Sequence, residues 1–379
     1  MLKLKSILEA GDVSQADLAR YCQLSTATIT QLLRHNIWPK KPTREELSAD
    51  IFQFLKLRKL PLAGVFADIP DQKQPEAPEQ KEDDIMLLRK QTLSQAAKKQ
   101  FGIFRDPFGE VRDQNEIYLS PDIRYVREAL LTVAKHGGFM AVVGESGSGK
   151  STLRRDLIER VRHQSVIVIQ PHVLGMEDND IKGKTLKSSH IAEAIMSAVS
   201  PLERMKSSPE ARFAQVAKCL SESARAGFSH ILIIEEAHSL PLATLKHLKR
   251  FYELEDGFKR PLGIVLIGQP ELAQKLDERN PMVREVVQRC EMVTLNPLQE
   301  HLKPYIQARF KIAGADIDNI MDDAAIDALR AKLTGSMGPG KSGFSVLYPL
   351  AVHNVITAAM NAAADIGISR VTADVIREV

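Results

Sequence analysis

No run of apolar residues in this sequence approaches the roughly 20 that a membrane-spanning helix needs; the best are short, such as Ile231 to Ile234 and Ile264 to Ile267. The first ten residues carry Lys3, Lys5 and Glu9 with no long apolar core behind them, so a secretory leader is not expected. A cytoplasmic protein with no membrane partner is. Cysteine is scarce: Cys22, Cys219 and Cys290 stand far apart in no metal-like spacing, which favours free thiols over disulfides or zinc. An excess of one charge is lacking too. With 51 Lys and Arg against 48 Asp and Glu, the formal net charge of +3 neither demands nor excludes nucleic acid, and the distribution matters more than the sum. No internal repeat at a solenoid period is evident.

What is present divides into parts. At 379 residues the chain exceeds one ordinary domain, which suggests a large core with smaller satellites. Residues 1–66 read as a compact, basic helical unit. Residues 67–84 contain the run IPDQKQPEAPEQKEDD, with three prolines and almost no apolar side chain, so they are expected to form a flexible acidic linker. Residues 85–119 are expected to form a connection, helical from Ile85 to about Gln100 and then a fixed loop through FGIFRDPFGE. From 120 to 297 apolar runs alternate with amphipathic segments. Strands are predicted at Phe139–Val143, Val166–Gln170, Ile231–Ile234, Ile264–Ile267 and Glu291–Leu295, which implies an α/β core with a parallel sheet flanked by helices. Residues 298–379 read as a C-terminal helical lid, interrupted by the glycine-rich Gly335 to Gly343.

The sharpest motif is Gly144-Glu145-Ser146-Gly147-Ser148-Gly149-Lys150-Ser151, a full match to GxxxxGK[ST], directly after one predicted strand and opening a helix at Thr152. Glycines let backbone N–H groups turn inward around phosphate oxygens, and the helix N-terminus favours negative charge. Lys150 then supplies a mobile cation to the β- and γ-phosphates, and the Ser151 hydroxyl a magnesium ligand. ATP and Mg2+ are the expected cofactors. A glycine-rich turn ahead of a helix is the plainer alternative, disfavoured by the strand, motif and helix falling in register.

The second half of such a site is expected on a neighbouring strand. Ile231 to Ile234 ends in Glu235 and Glu236, at the carboxyl edge where ligands of parallel sheets gather. Glu235 takes the place of an acid that holds magnesium through water, and Glu236 that of the base polarising the attacking water. Two acids there also suit capping of the helix that follows.

The stretches LIIEEAHSLP, PLGIVLIGQPEL and VVQRCEMVTLNPLQEHLKPYIQARFKIAGA together resemble AAA+ ATPases of the group that holds the Mu-phage transposition protein B and the Tn7-type target-selector ATPases, with ExeA-type ATPases as more distant relatives. The resemblance covers roughly residues 120 to 370. It implies a P-loop AAA+ core and lid, with Gln269 as the sensor of γ-phosphate or water. It also implies Arg289 as a finger reaching a neighbouring subunit's nucleotide, with Arg284 the second candidate and a salt bridge within the subunit the alternative. Two departures stand out. Glu235 replaces the usual aspartate, and Tyr348-Pro349-Leu350 stands where relatives have Pro-Arg, so a sensor arginine in the lid is missing. Both departures suit a slow ATPase used as a switch.

Near the N-terminus, Ser14 to Asn36 fit a helix-turn-helix: a helix from Gln15 to Cys22, a turn at Gln23 to Ser25, and a second helix from Thr26 to Leu33. Leu18, Ala19, Ile29, Leu32 and Leu33 would be buried, with Thr26, Thr28, Thr30, Gln31 and Arg34 outward and able to meet DNA. Helix pairs also serve as protein-docking modules. In the core, Lys182, Lys184, Thr185 and Lys187 form a second candidate DNA surface, where a solvated charged loop is the equal alternative. The expectation is a transposition ATPase with double-stranded DNA, a transposase and copies of itself, as filament or ring, for partners. The rivals are a motor or loader ATPase of secretion or replication, and a nucleotide-gated transcriptional regulator.

Overall fold

The computed structural model describes residues 4, 7, 8, 13, 15–35, 38, 39, 41–58, 60–62, 65, 66, 89–171, 186–335 and 344–379. They fall into two compact units, residues 1–80 and 81–379. The expected linker, Lys182, Lys184, Thr185 and most of the glycine-rich stretch of the lid lie outside the described residues.

In the first unit, α1 (Gln15–Tyr21) and α2 (Thr26–His35) are joined by a turn in which Gln23 takes a left-handed backbone (φ 53°). The Ser25 hydroxyl accepts the Thr28 N–H at 3.1 Å, which satisfies one of the orphan donors at the start of α2. A third helix, α3 (Arg44–Leu57), begins with a reciprocal cap between Thr43 and Glu46. Leu18, Ala19, Ile29, Leu32 and Leu33 are buried as expected, together with Leu47, Ile51 and Phe54 of α3. Thr30 corrects the expectation of an outward side chain: its hydroxyl donates to Gln15 Oε1 at 3.1 Å in the seam between α1 and α2.

The second unit opens with a correction. Residues 89–94 are not helical, and α4 spans only Gln95–Gln100. The Gln91 and Ser94 N–H groups donate to the side-chain oxygens of Asn354 and Asn361, 3.0 and 2.8 Å away, while Ser94 caps α4. Tertiary partners thus take the donors that a longer helix would have used internally.

The core sheet has the order β2-β3-β4-β1-β5, all parallel: β1 (Gly138–Val143), β2 (Val166–Ile169), β3 (Ser229–Ile234), β4 (Leu262–Gly268) and β5 (Glu291–Thr294). Side chains alternate between two apolar layers. Met140, Val142, Ile231, Ile233, Val265 and Ile267 face α5 (Pro121–His136) and α6 (Lys150–Val161). Phe139, Ala141, Leu232, Ile234, Ile264 and Leu266 face α7 (Ser188–Val199), α8 (Pro209–Arg225) and α9 (Leu242–Tyr252). Burial on both faces explains why the central strands read as apolar runs rather than alternating ones. Two short helices, α10 (Pro270–Lys275) and α11 (Arg284–Val287), follow β4.

Among the described residues the lid contains the α-helices α12 (Leu302–Ile312), α13 (Asp323–Leu333), α14 (Pro349–Asp365) and α15 (Ala373–Glu378). Between α13 and α14 two-residue strands, β6 (Thr334–Gly335) and β7 (Phe344–Ser345), pair antiparallel and were not anticipated. Leu93, Ala97 and Ile103 of the connection share the lid's core, so the connection packs as part of the lid. Arg309 fixes it by donating to the carbonyls of Pro107 and Gly109, both at 2.7 Å.

Candidate functional site

The P-loop joins β1 to α6 at the carboxyl edge of the sheet. Gly147 (φ 77°) and Gly149 (φ 100°) adopt left-handed backbone, which a residue with a Cβ takes only under strain. Gly149 is the N-cap of α6, so the helix begins at Lys150 with its N-terminus directed at the loop. Lys150 Nζ donates to the carbonyls of Gly144 and Glu145, at 2.6 and 2.7 Å. Burial pulls its ammonium below the usual lysine range, against the opposing carboxylates of Glu236, Glu145 and Glu271.

A cavity of about 590 Å3 lies over this loop. Its walls are Ser146 to Arg155 with Glu236 and Gln269 from the sheet edge, Ile117 and Tyr118 from the connection, and Leu350 and His353 from the lid. The volume falls within the usual range for a small-molecule site. Leu350 packs on Gly147, where an added Cβ would sit 2.3 Å from the Leu350 Cβ, and its N–H donates to the Gly147 carbonyl at 3.2 Å. At Gly147 the lid thus meets the P-loop through a backbone hydrogen bond and an aliphatic side chain.

The two acids after β3 are placed differently. Glu236 lines the cavity and holds a left-handed backbone (φ 49°, ψ 34°), strain of about 1–3 kcal/mol of the kind concentrated at functional sites. Glu235 turns toward α6, its Oε1 2.8 Å from Arg154 Nε, although the N–H is not aimed to make a hydrogen bond. Arg154 lies one turn beyond Lys150 on the same helix face, so the i, i+4 spacing is the sequence signal that places it beside the site. His238, two residues beyond Glu236, lies between Glu236 and the backbone of Gln269.

The residues fit a nucleotide with magnesium. Ser148 Oγ is a buried polar atom without a partner inside the loop, and Ser151 is exposed at the second position of α6. Among the described residues no group of three or more His, Cys, Asp or Glu is arranged to hold a metal ion.

Arg289 is outside the cavity lining. It pairs with Glu253 at 2.8 Å and donates to the Glu285 carbonyl at 2.8 Å, while Arg284 is exposed at the start of α11. Of the candidate DNA contacts, Lys187 is exposed just before α7, where the neighbouring Leu186 carbonyl is held by the Thr244 hydroxyl at 2.7 Å. Gln31 is exposed on α2, and the Thr28 hydroxyl lies 2.8 Å from that of Ser25. For Thr26 and Arg34 only the helical backbone is described.

A parallel sheet flanked by helices, a P-loop on β1 and paired acids after β3 give this unit the form of a P-loop ATPase domain. Residues 133–276 match the family model described as an AAA domain. The chain is similar to general secretion pathway protein A of Aeromonas hydrophila, 27% identical over 243 residues, which are 62% of this chain and 41% of that protein. It therefore spans about two fifths of the length of this relative. Among solved structures, Cdc6p of Pyrobaculum aerophilum aligns with a TM-score of 0.49 and 14% identity, covering 71% of this chain and 68% of its own. The ORC2 protein of Aeropyrum pernix aligns at 0.45 and 14%, covering 72% and 71%. Among the described residues no helix is long and apolar enough to cross a membrane.

Proposed function

We propose that this chain is an ATP-dependent DNA-binding protein of transposition, which assembles in several copies on double-stranded target DNA, activates a transposase there, and is released on ATP hydrolysis. The observation that carries the ATPase half is the convergence of Lys150, Glu236 and Gln269 on one cavity above the P-loop. Backbone N–H groups of the P-loop cradle the phosphates, while that of Gly144 donates to the Gly268 carbonyl at 3.2 Å and that of Thr152 to the Gly149 carbonyl at 3.0 Å. Lys150 swings from the Gly144 and Glu145 carbonyls toward the β and γ groups. Ser151 and Glu235 are the residues that would hold magnesium, which when bound would neutralise charge on the phosphate oxygens. Glu236 accepts a proton from the attacking water, and Gln269 orients that water or the γ-phosphate. Arg289 leaves Glu253 to reach the nucleotide of a neighbouring copy, with Arg284 as second candidate.

The DNA half rests on the separate basic helical unit, whose α2 exposes Gln31, and on Lys187 at the edge of the core. Similarity to general secretion pathway protein A supports a second reading, a motor or loader ATPase acting in secretion or replication.

Electron microscopy and salt titration on long DNA, with ATP, ADP or a non-hydrolysable analogue, separate the two. ATP-dependent coating that tolerates sequence and weakens steeply with salt is the expected result. Absence of DNA binding at low salt in every nucleotide state would overturn the transposition reading and favour a protein-directed motor.

A further inference from the structure

Glu236 has little of its own to hold it. Its side chain is 59% exposed, and fixing a glutamate in one rotamer costs about 1.5–2 kcal/mol in lost freedom. A general base must nonetheless stand within hydrogen-bond reach of its water, and a displacement of about 1 Å costs about a hundredfold in rate. Some neighbouring group has to supply the alignment.

The imidazole of His238 is placed to do so. His238 is the middle residue of the single 3-10 turn Ala237–Ser239 that follows the acids, and its side chain is 18% exposed. Its Nδ1 accepts the backbone N–H of Gln269 at 3.3 Å. A nitrogen that accepts carries no proton, so the neutral ring bears its hydrogen on Nε2. That nitrogen stands 3.5 Å from Glu236 Oε2. Gly268 allows the approach, because a Cβ there would lie 3.1 Å from the His238 backbone nitrogen and 2.9 Å from Leu272 Cδ2. Among the described residues, Lys150 is a charged group that also faces Glu236.

We propose that His238 is a positioning residue, which braces the Glu236 carboxylate through Nε2–H while Gln269 holds the ring in register from the end of β4. The ring does not act as the base, since one nitrogen is occupied by Gln269 and the other carries the proton. The inference rests on the reading of Glu236 as the water-activating group. Through this bridge, a shift of Gln269 on contact with nucleotide moves the base on the adjacent strand.

The test uses the full chain, with and without DNA, and reads kcat at saturating ATP, the equilibrium Kd for a fluorescent ATP analogue, and the melting midpoint. Asparagine at 238 keeps an acceptor at the Nδ1 position and falls short of Glu236, whereas glutamine presents an N–H donor near the Nε2 position. His238→Asn is expected to lower kcat about 10-fold or more with Kd within about 2-fold, and His238→Gln to restore turnover to within about 3-fold of the native chain. In an E236Q background His238→Asn is expected to change the residual turnover less than about 2-fold, since the two residues act as a unit. His238→Gln against His238→Leu repeats the comparison without relying on the asparagine variant. Unchanged kcat in His238→Asn beside a slow Glu236→Gln overturns this inference alone. Native turnover in Glu236→Gln overturns the reading beneath it. Equal slowing by His238→Asn with and without the Glu236 carboxylate reduces His238 to a structural residue.

Discussion

The backbone N–H of Leu350 donates to the carbonyl of Gly147 over 3.2 Å, so the first turn of α14 rests directly on the phosphate-binding loop. A cation in that position would report on the γ-phosphate by charge. A backbone bond and a leucine report instead on the shape of the loop, and any nucleotide that reshapes the loop shifts the lid with it.

Gly147→Ala tests this contact. The new methyl would stand 2.3 Å from Leu350 Cβ and force a non-glycine residue to φ 77°, a backbone cost of about 1–3 kcal/mol before the clash is counted. Calorimetric titration should show weaker ATP binding and a lower melting midpoint. Leu350→Gly added to Gly147→Ala should recover part of both losses, because it removes the Cβ that the new methyl meets and leaves the backbone strain. Full additivity of the two changes would separate the lid from the loop.

Lys150→Ala removes two hydrogen bonds to loop carbonyls in the free protein and the cation offered to phosphate in the bound one. Hydrogen bonds to charged groups are worth about 1.5–3 kcal/mol, so ATP affinity should fall by about two orders of magnitude. Equilibrium binding of a fluorescent analogue checks this. ATP affinity equal to that of the native chain would remove Lys150 from the site.

Arg289→Ala gives up a partly exposed pair with Glu253, worth at most about 1 kcal/mol, so the protein should stay folded and bind ATP nearly normally. Hydrolysis should be poor. Mixing this variant with Lys150→Ala, after co-assembly on DNA is verified, should restore activity wherever an intact P-loop faces an intact arginine. Activity no greater than the sum of the separate variants would leave Arg289 a structural residue of its own subunit.

Burial pushes the His353 imidazole down to about 3, with the Arg309 guanidinium acting the same way. The ring stacks with Phe108 and Tyr305, and its Nε2 is hydrogen-bonded to the Tyr305 hydroxyl at 2.6 Å. Because the unfolded chain binds this proton at about 6.5 and the folded one near 3, the contribution is complete above about pH 6.5 and is lost as pH falls toward 3. His353→Gln keeps an acceptor and removes the titration. Its melting midpoint should therefore fall less steeply than that of the native chain between pH 6.5 and 4, and parallel curves would exclude His353 from acid loosening of the lid.

The sequence made the sheet and the P-loop legible for a physical reason: each depends on local pattern. Strands covered on both faces must be apolar throughout, and a phosphate loop needs glycines at fixed offsets, so all five core strands and the loop lie where the pattern put them. What escaped depends on partners far along the chain. Residues 89–94 lose their helix to Asn354 and Asn361, Thr30 turns inward to Gln15, and Glu235 meets Arg154, none of which spacing alone reveals. His238 escaped for a subtler reason: its role appears only when the ends of β3 and β4 are seen side by side.

The left-handed backbone of Glu236 places heat resistance and turnover in conflict at a single codon. Glycine would occupy φ 49° without strain, so a lineage selected for thermal endurance alone would drift toward it and gain a sturdier chain with no carboxylate beside the phosphate cavity. Glutamate stands there against the preference of the fold, so the same backbone position that weakens the chain is the one that sets a carboxylate beside the cavity.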